Sequence, residues 1–554
     1  MSALPEDLNL ARYFLFDRLA EGLGTKVALR FGDRSWTYDA VARKTRKLAG
    51  LLAAHGIRRG ERVLIVLPDA PPFAWSFFGT LARGAVVAMG NPHAPIESIE
   101  YLVTYTRATA VITVPDVAER LRKTVEQPGR SCESHDTSSR RSLSEVLAMF
   151  VVPDVATGED PEQKIAAMVG TSKVIELAPA LEAASEAEPV HVHRDEPAIW
   201  LFTSGSTGEP KANIHTGRDF AFNTEVYAKA TVGYRGDDIT VSVPRLFFGY
   251  ATGTNLMFPF AVGATTGLFS ERPTPESLAN AIAMYKPTVV TNVPTMLGKL
   301  LEHDAELTAA GKPGLDLSSV RFSLSAGEAL PGPLLSRWIE RFRSEVYDGI
   351  GSAEMFHIYA SNRPGDVKIG SLGKAVEGYE LRVLPEDADG AGAAPCAPGE
   401  IGVLWVKGDS VSQGYWLDRD KSWKTFHGHW CRTGDLFHVD EEGYLYFAGR
   451  TDDLLKVGGQ WVAPLQVEEC LLGHAAVAAC AVIGIENDGL VKTKAFIVLR
   501  AGHEKSPALA TELQEHVRGK LAKYKYPRVV EFVDDLPKND RGKVDKKALR
   551  ARLS

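Results

Sequence analysis

The segment TSGSTGEPK, at residues 203–211, has the residue types and spacing expected of a phosphate-binding loop. It directly follows the apolar run AIWLF, whose composition is typical of a buried strand. Small hydroxyl residues and glycines let backbone N–H groups approach a polyphosphate, and the final lysine adds positive charge. The string differs from the P-loop of kinases and GTPases, and a flexible turn without a ligand is the alternative interpretation. The predicted phosphate-binding residues are Thr203, Ser204, Gly205, Ser206, Thr207, Gly208 and Lys211.

Further glycine-containing segments with acidic or basic residues follow later in the chain. They are SAGEALP at 325–331, DGIGSAE at 348–354, CRTGD at 431–435, GRTDDLLKVGG at 449–459 and PKNDRGKVDK at 537–546. Together with TSGSTGEPK, and in this order, they resemble the motifs of the adenylate-forming superfamily. That superfamily contains acyl-CoA synthetases, luciferases and the adenylation domains of peptide synthetases. The resemblance extends over most of the chain from the phosphate segment onward.

The resemblance implies an enzyme that activates a carboxylic acid with ATP and Mg²⁺, then passes the acyl group to coenzyme A. Attack of a carboxylate on the α-phosphate brings two anions together, so catalysis needs positioning and positive charge. Glu354 is the implied magnesium ligand, because this ion prefers hard oxygen ligands, and an acid at a helix start is the alternative. Asp435 would accept hydrogen bonds from the ribose hydroxyls, with Arg450 beside the same sugar. The other implied nucleotide contacts are Gly327, Glu328, Asp348, Gly349, Ile350 and Gly351.

Near the end of the chain, Lys543 matches the lysine that in this superfamily contacts the α-phosphate and the attacking carboxylate. A solvated basic face is the alternative, since several basic residues surround it. For Lys543 to reach the nucleotide, a mobile C-terminal domain must close over the site, and it would then rotate about Asp452 for thioester formation. Gly459 and Trp461 would line the tunnel for coenzyme A.

Two segments indicate which class of carboxylic acid the enzyme would activate. RLFFGYATG at 245–253 and GIGSAEMFHIYASN at 349–362 resemble the aryl-acid branch, specifically benzoate-CoA ligases. The resemblance implies a flat apolar pocket suited to an aromatic ring, with ordinary core packing as the alternative for its aromatic members. Gly249 stands where alanine is expected and Ala353 where threonine is expected, which leaves the accepted ring substituent open. The implied pocket residues are Phe248, Gly249, Tyr250, Ile350 and His357.

The elements that must position these residues follow from the apolar pattern. Runs such as RVLIVLP, TAVITV, AIWLFTS, PTVVTNVP and VRFSLSAGE alternate with helical patterns, which indicates α/β layers around largely parallel sheets. From about residue 379 the pattern changes to short runs separated by turns, which predicts a small β-barrel section. An amphipathic helix of a compact α+β domain is predicted from the recurrence of Leu509, Leu513, Val517 and Leu521.

We therefore predict an α/β fold with two domains. The large N-terminal adenylate-forming domain, made of layered α/β subdomains, covers residues 1–451 and binds ATP and the acid. The small mobile α+β domain covers residues 452–554, with the hinge at its first residue. The polar, serine-rich segment at 126–141 is predicted to be a surface loop.

Composition excludes several classes of protein. The net charge of -7 gives no long-range positive field, so neither nucleic acid nor an anionic membrane is an expected partner. The longest apolar stretches are broken by proline, glycine or aspartate, and the N-terminus lacks the pattern of a signal peptide. The five cysteines form no metal-ligand spacing and suit a reducing compartment, so we expect a cytoplasmic protein. A homodimer is left open.

Two other functions remain as alternatives. One is a ligase of the same fold that activates a fatty, alicyclic or amino acid for CoA or a carrier protein. No carrier or condensation domain is recognisable after the last motif, which favours free CoA. The other is a non-catalytic nucleotide-binding relative, against which the joint presence of Glu354, Asp435 and Lys543 argues.

Overall fold

The computed structural model describes residues 4–126, 146–152, 174–204, 209–457, 460–487, 490–537 and 544–552. Over these residues the predicted α/β class is confirmed, with the strands arranged in five sheets. Residues 127–141 of the predicted surface loop lie outside this description. The strands are β1 (Val27–Phe31), β2 (Arg34–Thr37), β3 (Arg62–Val66), β4 (Val86–Met89), β5 (Ala108–Thr113), β6 (Ala148–Val151), β7 (Val174–Glu176), β8 (Pro197–Ser204), β9 (Pro210–Thr216), β10 (Ile239–Ser242), β11 (Thr265–Leu268), β12 (Val289–Asn292), β13 (Phe322–Ser325), β14 (Glu345–Gly351), β15 (Ile358–Ser361), β16 (Lys374–Ala375), β17 (Glu380–Leu384), β18 (Gly402–Lys407), β19 (Phe426–His427), β20 (Trp430–Val439), β21 (Leu445–Arg450), β22 (Leu455–Val457), β23 (Gln460–Val462), β24 (Val477–Asn487), β25 (Leu490–Leu499) and β26 (Val529–Phe532).

Helices fill the connections between most of the parallel strands. Several of them begin with proline, which suits the first helical turn because its missing N–H would have no intrahelical partner. Short π-helical segments cover Arg12–Phe16, Thr224–Thr231 and Gly253–Met257, and 3₁₀ turns cover Ala353–Met355 and Thr451–Asp453. The α-helices are α1 (Asp17–Ala20), α2 (Tyr38–Ala54), α3 (Pro71–Ala82), α4 (Ile96–Thr106), α5 (Pro115–Glu126), α6 (Leu177–Ala183), α7 (Gly217–Asn223), α8 (Gly249–Thr252), α9 (Phe258–Ala261), α10 (Pro275–Tyr285), α11 (Pro294–Ala309), α12 (Gly332–Phe342), α13 (Arg419–Thr425), α14 (Pro464–Leu472), α15 (Pro507–Lys520) and α16 (Lys546–Ala551).

The first large sheet has the strand order β7-β6-β5-β3-β4-β8-β9. Its neighbours pair in parallel as far as β8, and β9 then returns antiparallel to β8. Every residue of β5 is buried, as expected for a parallel strand with both faces covered. The β8–β9 hairpin therefore lies at one edge of this sheet, and its connection is the predicted phosphate segment.

The second large sheet has the order β16-β15-β14-β13-β12-β10-β11-β1-β2. Strands β10 to β14 pair in parallel, so their carboxyl ends lie along the same edge. Ligands of open α/β sheets bind at that edge. The segments 326–331 and 349–354, which carry predicted nucleotide contacts, lie at or beyond the ends of β13 and β14.

Strands β17 to β21 form an antiparallel sheet of their own, in which β18 and β20 are central. This sheet occupies the place predicted for the small β-barrel section. It ends at Arg450 in β21, directly before the 3₁₀ turn Thr451–Asp453. The last strand therefore leads straight into the predicted hinge.

The residues after this turn form two further sheets, β22–β23 and β24–β25–β26. Helix α15 lies between β25 and β26, as predicted, and buries Leu509, Leu513 and Val517. Ser506 caps this helix by accepting a hydrogen bond from the Leu509 N–H (3.1 Å). The α+β character of this part is thus confirmed, and the domain boundary at residue 452 stays a prediction.

Within the part of the chain that the structure describes, no helix combines the length and apolar composition needed to cross a membrane.

Candidate active site

The β8–β9 hairpin holds both ends of the predicted phosphate loop. Thr203 pairs with Lys211 and Ser204 pairs with Pro210 in antiparallel register. The apolar strand before the loop and the lysine after it are therefore fixed side by side. The four residues that connect them, Gly205, Ser206, Thr207 and Gly208, lie outside the described residues.

Lys211 is joined to a second basic residue through one carboxylate. The ammonium group of Lys211 forms an ion pair with Asp418 Oδ2. The backbone N–H of Lys421 donates to the other oxygen, Asp418 Oδ1 (3.1 Å). Burial, and then the positive charge of Lys211, lower the pKa of the half-buried Lys421 side chain. Two lysines therefore face the same region beside the phosphate hairpin, and Lys421 is not among the predicted site residues.

The segment 412–416 runs along the free edge of β9. The Ile214 N–H donates to the Gly414 carbonyl (3.0 Å), and the Trp416 N–H donates to the Ala212 carbonyl (2.9 Å). Between them, the hydroxyl of Tyr415 donates to Glu354 Oε1 (2.7 Å). Burial and the negative charge of Glu354 raise the pKa of Tyr415, so its hydroxyl stays protonated and remains a donor. This segment brings the predicted magnesium ligand to the side of the phosphate hairpin.

Glu354 lies in the 3₁₀ turn Ala353–Met355 that follows β14. Its backbone carbonyl accepts a hydrogen bond from the Ser412 N–H (2.9 Å). The next turn is strained, because Phe356 has φ 68° and ψ -59° and the His357 N–H donates to the Met355 carbonyl (2.9 Å). These values define a γ-turn of the rare hand, which persists only where its surroundings hold it.

The donor set around Glu354 bears on the implied magnesium ion. No group of three or more His, Cys, Asp or Glu side chains able to hold a metal occurs among the residues that the structure describes. Magnesium at nucleotide sites takes one or two carboxylates and completes its shell with phosphate oxygens and water. The single carboxylate of Glu354, with one oxygen held by Tyr415, fits an ion that arrives with a nucleotide.

The predicted sugar contacts lie on adjacent strands. Asp435 and Arg450 are direct register partners on β20 and β21, with Arg450 Nε 3.6 Å from Asp435 Oδ1. The carboxylates of Asp435, Asp452 and Glu354 raise the pKa of Arg450, and Asp435 has the largest effect. The predicted ribose contacts and the predicted magnesium ligand therefore belong to one cluster of charges.

The predicted adenine contacts lie at the ends of β13 and β14. Gly327 has φ +88°, and a side chain there would point into open space, so a planar ligand can approach its backbone. The carboxylate of Glu328 accepts hydrogen bonds from Thr295 N (3.1 Å) and Oγ1 (2.7 Å). Asp348 is buried on β14, where its register partner on β13 is Ser325. Burial raises the pKa of Asp348 to about 8. Gly349, Ile350 and Gly351 continue β14 to the Glu354 turn.

Two of the predicted pocket residues, Tyr250 and His357, lie in a packed cluster of aromatic rings beside the Glu354 turn. His357 packs against Tyr250 (5.3 Å between ring centroids) and Phe258 (4.8 Å). Its Nε2 is 3.0 Å from the Tyr250 carbonyl, and burial lowers its pKa to about 3, so the ring is neutral and Nε2 donates. Phe248 immediately precedes the short helix that begins at Gly249.

Two anchors hold the start of this pocket. The Leu246 N–H donates to Asp69 Oδ1 (2.9 Å), and the guanidinium of Arg245 lies 3.7 Å from Asp69 Oδ2.

The space beside Gly249 is limited by Leu201. A methyl group on Gly249 would lie 3.2 Å and 3.3 Å from the two terminal carbons of Leu201, so an alanine at this position would displace that side chain slightly. Neither Asp69 nor Leu201 was predicted as a site residue, because neither lies in a recognised motif.

Of the remaining predicted residues, the structure describes Asp452 and Trp461. Asp452 lies in the exposed turn after β21, and Trp461 lies on β23, where its register partner is Lys456. Gly459 and Lys543 lie outside the described residues. Their predicted contacts with coenzyme A and the α-phosphate stay predictions.

Comparison with known proteins identifies the family. Residues 16–416 match the AMP-binding enzyme family, and residues 466–543 match the AMP-binding enzyme C-terminal domain. The chain belongs to the AMP-binding enzymes. The adenylate-forming resemblance is thereby confirmed for both halves of the molecule.

Relatives of this AMP-binding enzyme match it over nearly its whole length. The benzoate–CoA ligase of Thauera aromatica is 37% identical, over 99% of this chain and 97% of that protein. The 4-hydroxybenzoate–CoA/benzoate–CoA ligase of Rhodopseudomonas palustris is 34% identical, over 98% of this chain and 94% of that protein. The crystal structure of the anthranilate CoA ligase AuaEII in complex with anthranoyl-AMP is similar with a TM-score of 0.85 at 33% identity, over 99% of this chain and 98% of that chain.

Sequence reasoning missed Tyr415 and Asp418, which contact the predicted residues Glu354 and Lys211 of this AMP-binding enzyme. It also missed Lys421 and His215, which lie beside them. Tyr415, Asp418 and Lys421 lie in the segment GYWLDRDK, which resembles the benzoate-CoA ligase branch, but that resemblance indicates no role for any single one of them. His215 lies at the end of β9 and contacts the Glu354 turn. No spacing in the sequence connects these residues with Glu354, because they approach it only through tertiary structure.

Proposed function

We propose that this chain is an AMP-forming ligase that activates benzoate or a substituted benzoate with ATP and transfers the acyl group to coenzyme A. The names of the relatives support this class of substrate, since two relatives that match over nearly all of the chain are ligases of benzoate or 4-hydroxybenzoate. The aromatic residues Tyr250, Phe258 and His357 beside the Glu354 turn agree with it, because an aromatic acid packs well against such rings.

In the first half-reaction, a carboxylate oxygen of the acid attacks the α-phosphorus of ATP. The bond from that phosphorus to the bridging oxygen breaks, and pyrophosphate leaves with the negative charge. Lys211 and Lys421 would attract the phosphates, and Asp435 would orient the ribose hydroxyls. Glu354 would hold the magnesium ion, which when bound neutralises phosphate charge. Because both reactants are anions, positioning and charge carry most of the catalysis.

In the second half-reaction, the sulfur of coenzyme A attacks the acyl carbonyl of the adenylate. The carbon–oxygen bond to AMP breaks, and the thioester and AMP are the products. Lys543 would serve the first step and withdraw before the second, when the C-terminal domain rotates about Asp452. Gly459 and Trp461 would then line the path of the pantetheine arm. These roles rest on the match of each residue to the superfamily's motifs.

One observation carries the proposal more than any other. The turn that holds Glu354 is tied to the phosphate hairpin on one side through Tyr415 and continues on the other side into His357 of the ring cluster. A carboxylic acid seated among these rings would therefore present its carboxylate close to the phosphates. Such a neighbourhood fits adenylation better than it fits simple nucleotide storage.

The test is acid-dependent exchange of labelled pyrophosphate into ATP, measured without coenzyme A. The panel contains benzoate, the three hydroxybenzoates, 2-aminobenzoate, cyclohexanecarboxylate and octanoate, and thioester formation is then measured with coenzyme A. Exchange that is fastest with an aromatic acid supports the proposal. Exchange fastest with octanoate, or with cyclohexanecarboxylate, would instead favour a fatty or alicyclic acid, and exchange with none of them would contradict an adenylating enzyme.

A further inference from the structure

His215 connects the strand of the phosphate hairpin with the Glu354 turn. Its side chain is fully buried, and its Nε2 lies 2.6 Å from the backbone oxygen of Ala353. A carbonyl oxygen can only accept a hydrogen bond, so Nε2 carries a hydrogen and donates it. The next residue in the chain is Glu354. This buried contact therefore restrains the backbone directly before the predicted magnesium ligand.

Asp219 holds the imidazole ring in this orientation. Its Oδ2 lies 2.7 Å from His215 Nδ1 and also accepts from the Thr216 N–H (3.1 Å). Its Oδ1 accepts a hydrogen bond from Thr216 Oγ1 (2.6 Å), and the bond from the Thr216 N–H is part of the capping box at the start of α7. A carboxylate on one ring nitrogen of a histidine directs the other nitrogen toward its partner. The helix cap thus determines where Nε2 points.

The turn that His215 contacts needs restraint from outside. Phe356 occupies the strained γ-turn two residues after Glu354, and its ring packs on Phe220 with centroids 4.2 Å apart. Phe220 directly follows Asp219 in α7, so the same helix supports both the histidine and the strained residue. Strained backbone persists only where neighbouring groups over-determine it, and these contacts supply that restraint.

We propose that His215, oriented by Asp219, is a positioning residue that holds the Glu354 turn in the geometry needed to bind the divalent cation of the nucleotide. The inference rests on the proposed function, since it concerns the support of Glu354 in that reaction. Magnesium demands near-ideal octahedral geometry, so a small shift of its carboxylate weakens binding. Outer residues that orient metal ligands typically change metal affinity by about 10–100-fold when they are removed.

Two substitutions of the same residue separate positioning from packing. In His215→Gln the side-chain amide reaches the place of Nε2 and can still donate to the Ala353 carbonyl. In His215→Asn the shorter amide reaches only the place of Nδ1, so the contact with Asp219 survives and the contact with Ala353 is lost. We expect His215→Asn to weaken binding of Mn²⁺ to the enzyme–ATP complex by about tenfold or more, with His215→Gln within about threefold of the parent.

Mn²⁺ binding is measured by electron paramagnetic resonance, which does not depend on turnover. The magnesium concentration for half-maximal pyrophosphate exchange should shift in the same order. Thr224→Val is the matched control, because the buried Thr224 hydroxyl donates only to the Phe220 carbonyl (2.7 Å) and does not contact the Glu354 turn. Its Mn²⁺ affinity should equal that of the parent protein.

The positioning role is overturned if His215→Asn binds Mn²⁺ as tightly as the parent, or if the asparagine and glutamine variants lose affinity equally. Should His215→Asn fail to fold, Asp219→Asn is measured instead, because its amide keeps an oxygen that can accept from Thr216. Unchanged Mn²⁺ affinity in Asp219→Asn would also overturn the role. A parent protein that exchanges pyrophosphate with none of the acids would contradict the proposed function instead. The two failures are therefore distinguishable.

Discussion

Lys421 is a half-buried lysine whose backbone N–H donates to Asp418, the carboxylate that pairs with the Lys211 ammonium. We expect Lys421→Gln to slow pyrophosphate exchange by about tenfold, roughly 1.4 kcal/mol, because one cation facing the phosphates is lost. Thioester formation from supplied benzoyl-AMP should change little, since that step no longer contains pyrophosphate. The comparison of the two half-reactions under single-turnover conditions measures this.

Lys424→Gln is the control for Lys421→Gln, because Lys424 lies exposed on the same helix α13. It should exchange pyrophosphate at the parent rate. Equal losses in the two variants, or a larger loss in thioester formation than in exchange, would exclude a phosphate contact for Lys421.

Asp348 gives a prediction for the dependence of stability on pH. Burial raises its pKa to about 8, so the folded protein keeps this proton through the neutral range. The unfolded chain releases it near pH 4, so stability falls as the pH rises from there toward 8, by up to about 1.4 kcal/mol per pH unit. Asp348→Asn, which is permanently neutral, should escape that loss.

The Tm of Asp348→Asn relative to the parent should therefore rise between pH 5 and pH 7.5. Asp237→Asn removes an exposed carboxylate and serves as the control, with no such trend. A constant difference in Tm between Asp348→Asn and the parent across this range would show that Asp348 is ionised in the folded protein.

Among the site residues, the sequence predicted those that lie within a recognisable motif. Glu354, Asp435 and Arg450 lie in recognisable strings, and the structure places them in one charged cluster. Tyr415 and His215 contact the Glu354 turn through tertiary structure alone. A lone tyrosine or histidine has no local pattern that distinguishes a supporting residue from ordinary core.

Among the elements, the predicted strands and the amphipathic helix α15 are confirmed, since each depends on a local apolar period. The pairing of the segment 412–416 with β9 could not be predicted. Its hydrogen-bonding partners, such as Ser412 and Ile214, are 198 positions apart in the chain. Contacts between residues so far apart in the chain depend on how the sheets assemble. Local sequence patterns do not contain that information.

The 3₁₀ turn Thr451–Asp453 is the element on which the proposed domain rotation depends. Proline fixes φ, so Asp452→Pro should restrict the backbone change at this turn. We expect adenylation to remain within about threefold of the parent, while thioester formation falls by about tenfold or more. Rapid-quench measurement of the two half-reactions gives both numbers.

Asp452→Ala removes the same carboxylate without restricting φ, and both of its half-reactions should stay near the parent rates. If Asp452→Ala loses thioester formation as severely as the proline variant, the carboxylate itself is needed and the hinge explanation is wrong. If the proline variant keeps both reactions, the rotation occurs elsewhere.

For the whole molecule, the proposed reaction requires the C-terminal domain to bring Lys543 to the phosphate hairpin. Lys543→Ala should lower adenylation by about two orders of magnitude, as expected for the loss of a group that contacts the transition state. Thioester formation from supplied benzoyl-AMP should survive, since the lysine is withdrawn for that step. Lys547→Ala, four residues further along, is the control and should leave both rates unchanged.

A Lys543→Ala variant that still exchanges pyrophosphate at the parent rate would contradict the closing motion.

The overall α/β class, the family and the order of the motifs could all be predicted from the sequence, because they depend on local motifs and apolar patterns. The arrangement of the two parts of the molecule could not, since it depends on contacts that no motif contains.

The ion pair between Lys211 and Asp418 has a consequence for the interval between turnovers. In the proposed reaction an incoming triphosphate would compete with this carboxylate for the Lys211 ammonium, so the broken ion pair would offset part of the attraction. When pyrophosphate departs, Asp418 would pair with Lys211 again. This competition would weaken the binding of both ATP and pyrophosphate. It would therefore favour fast product release over high affinity.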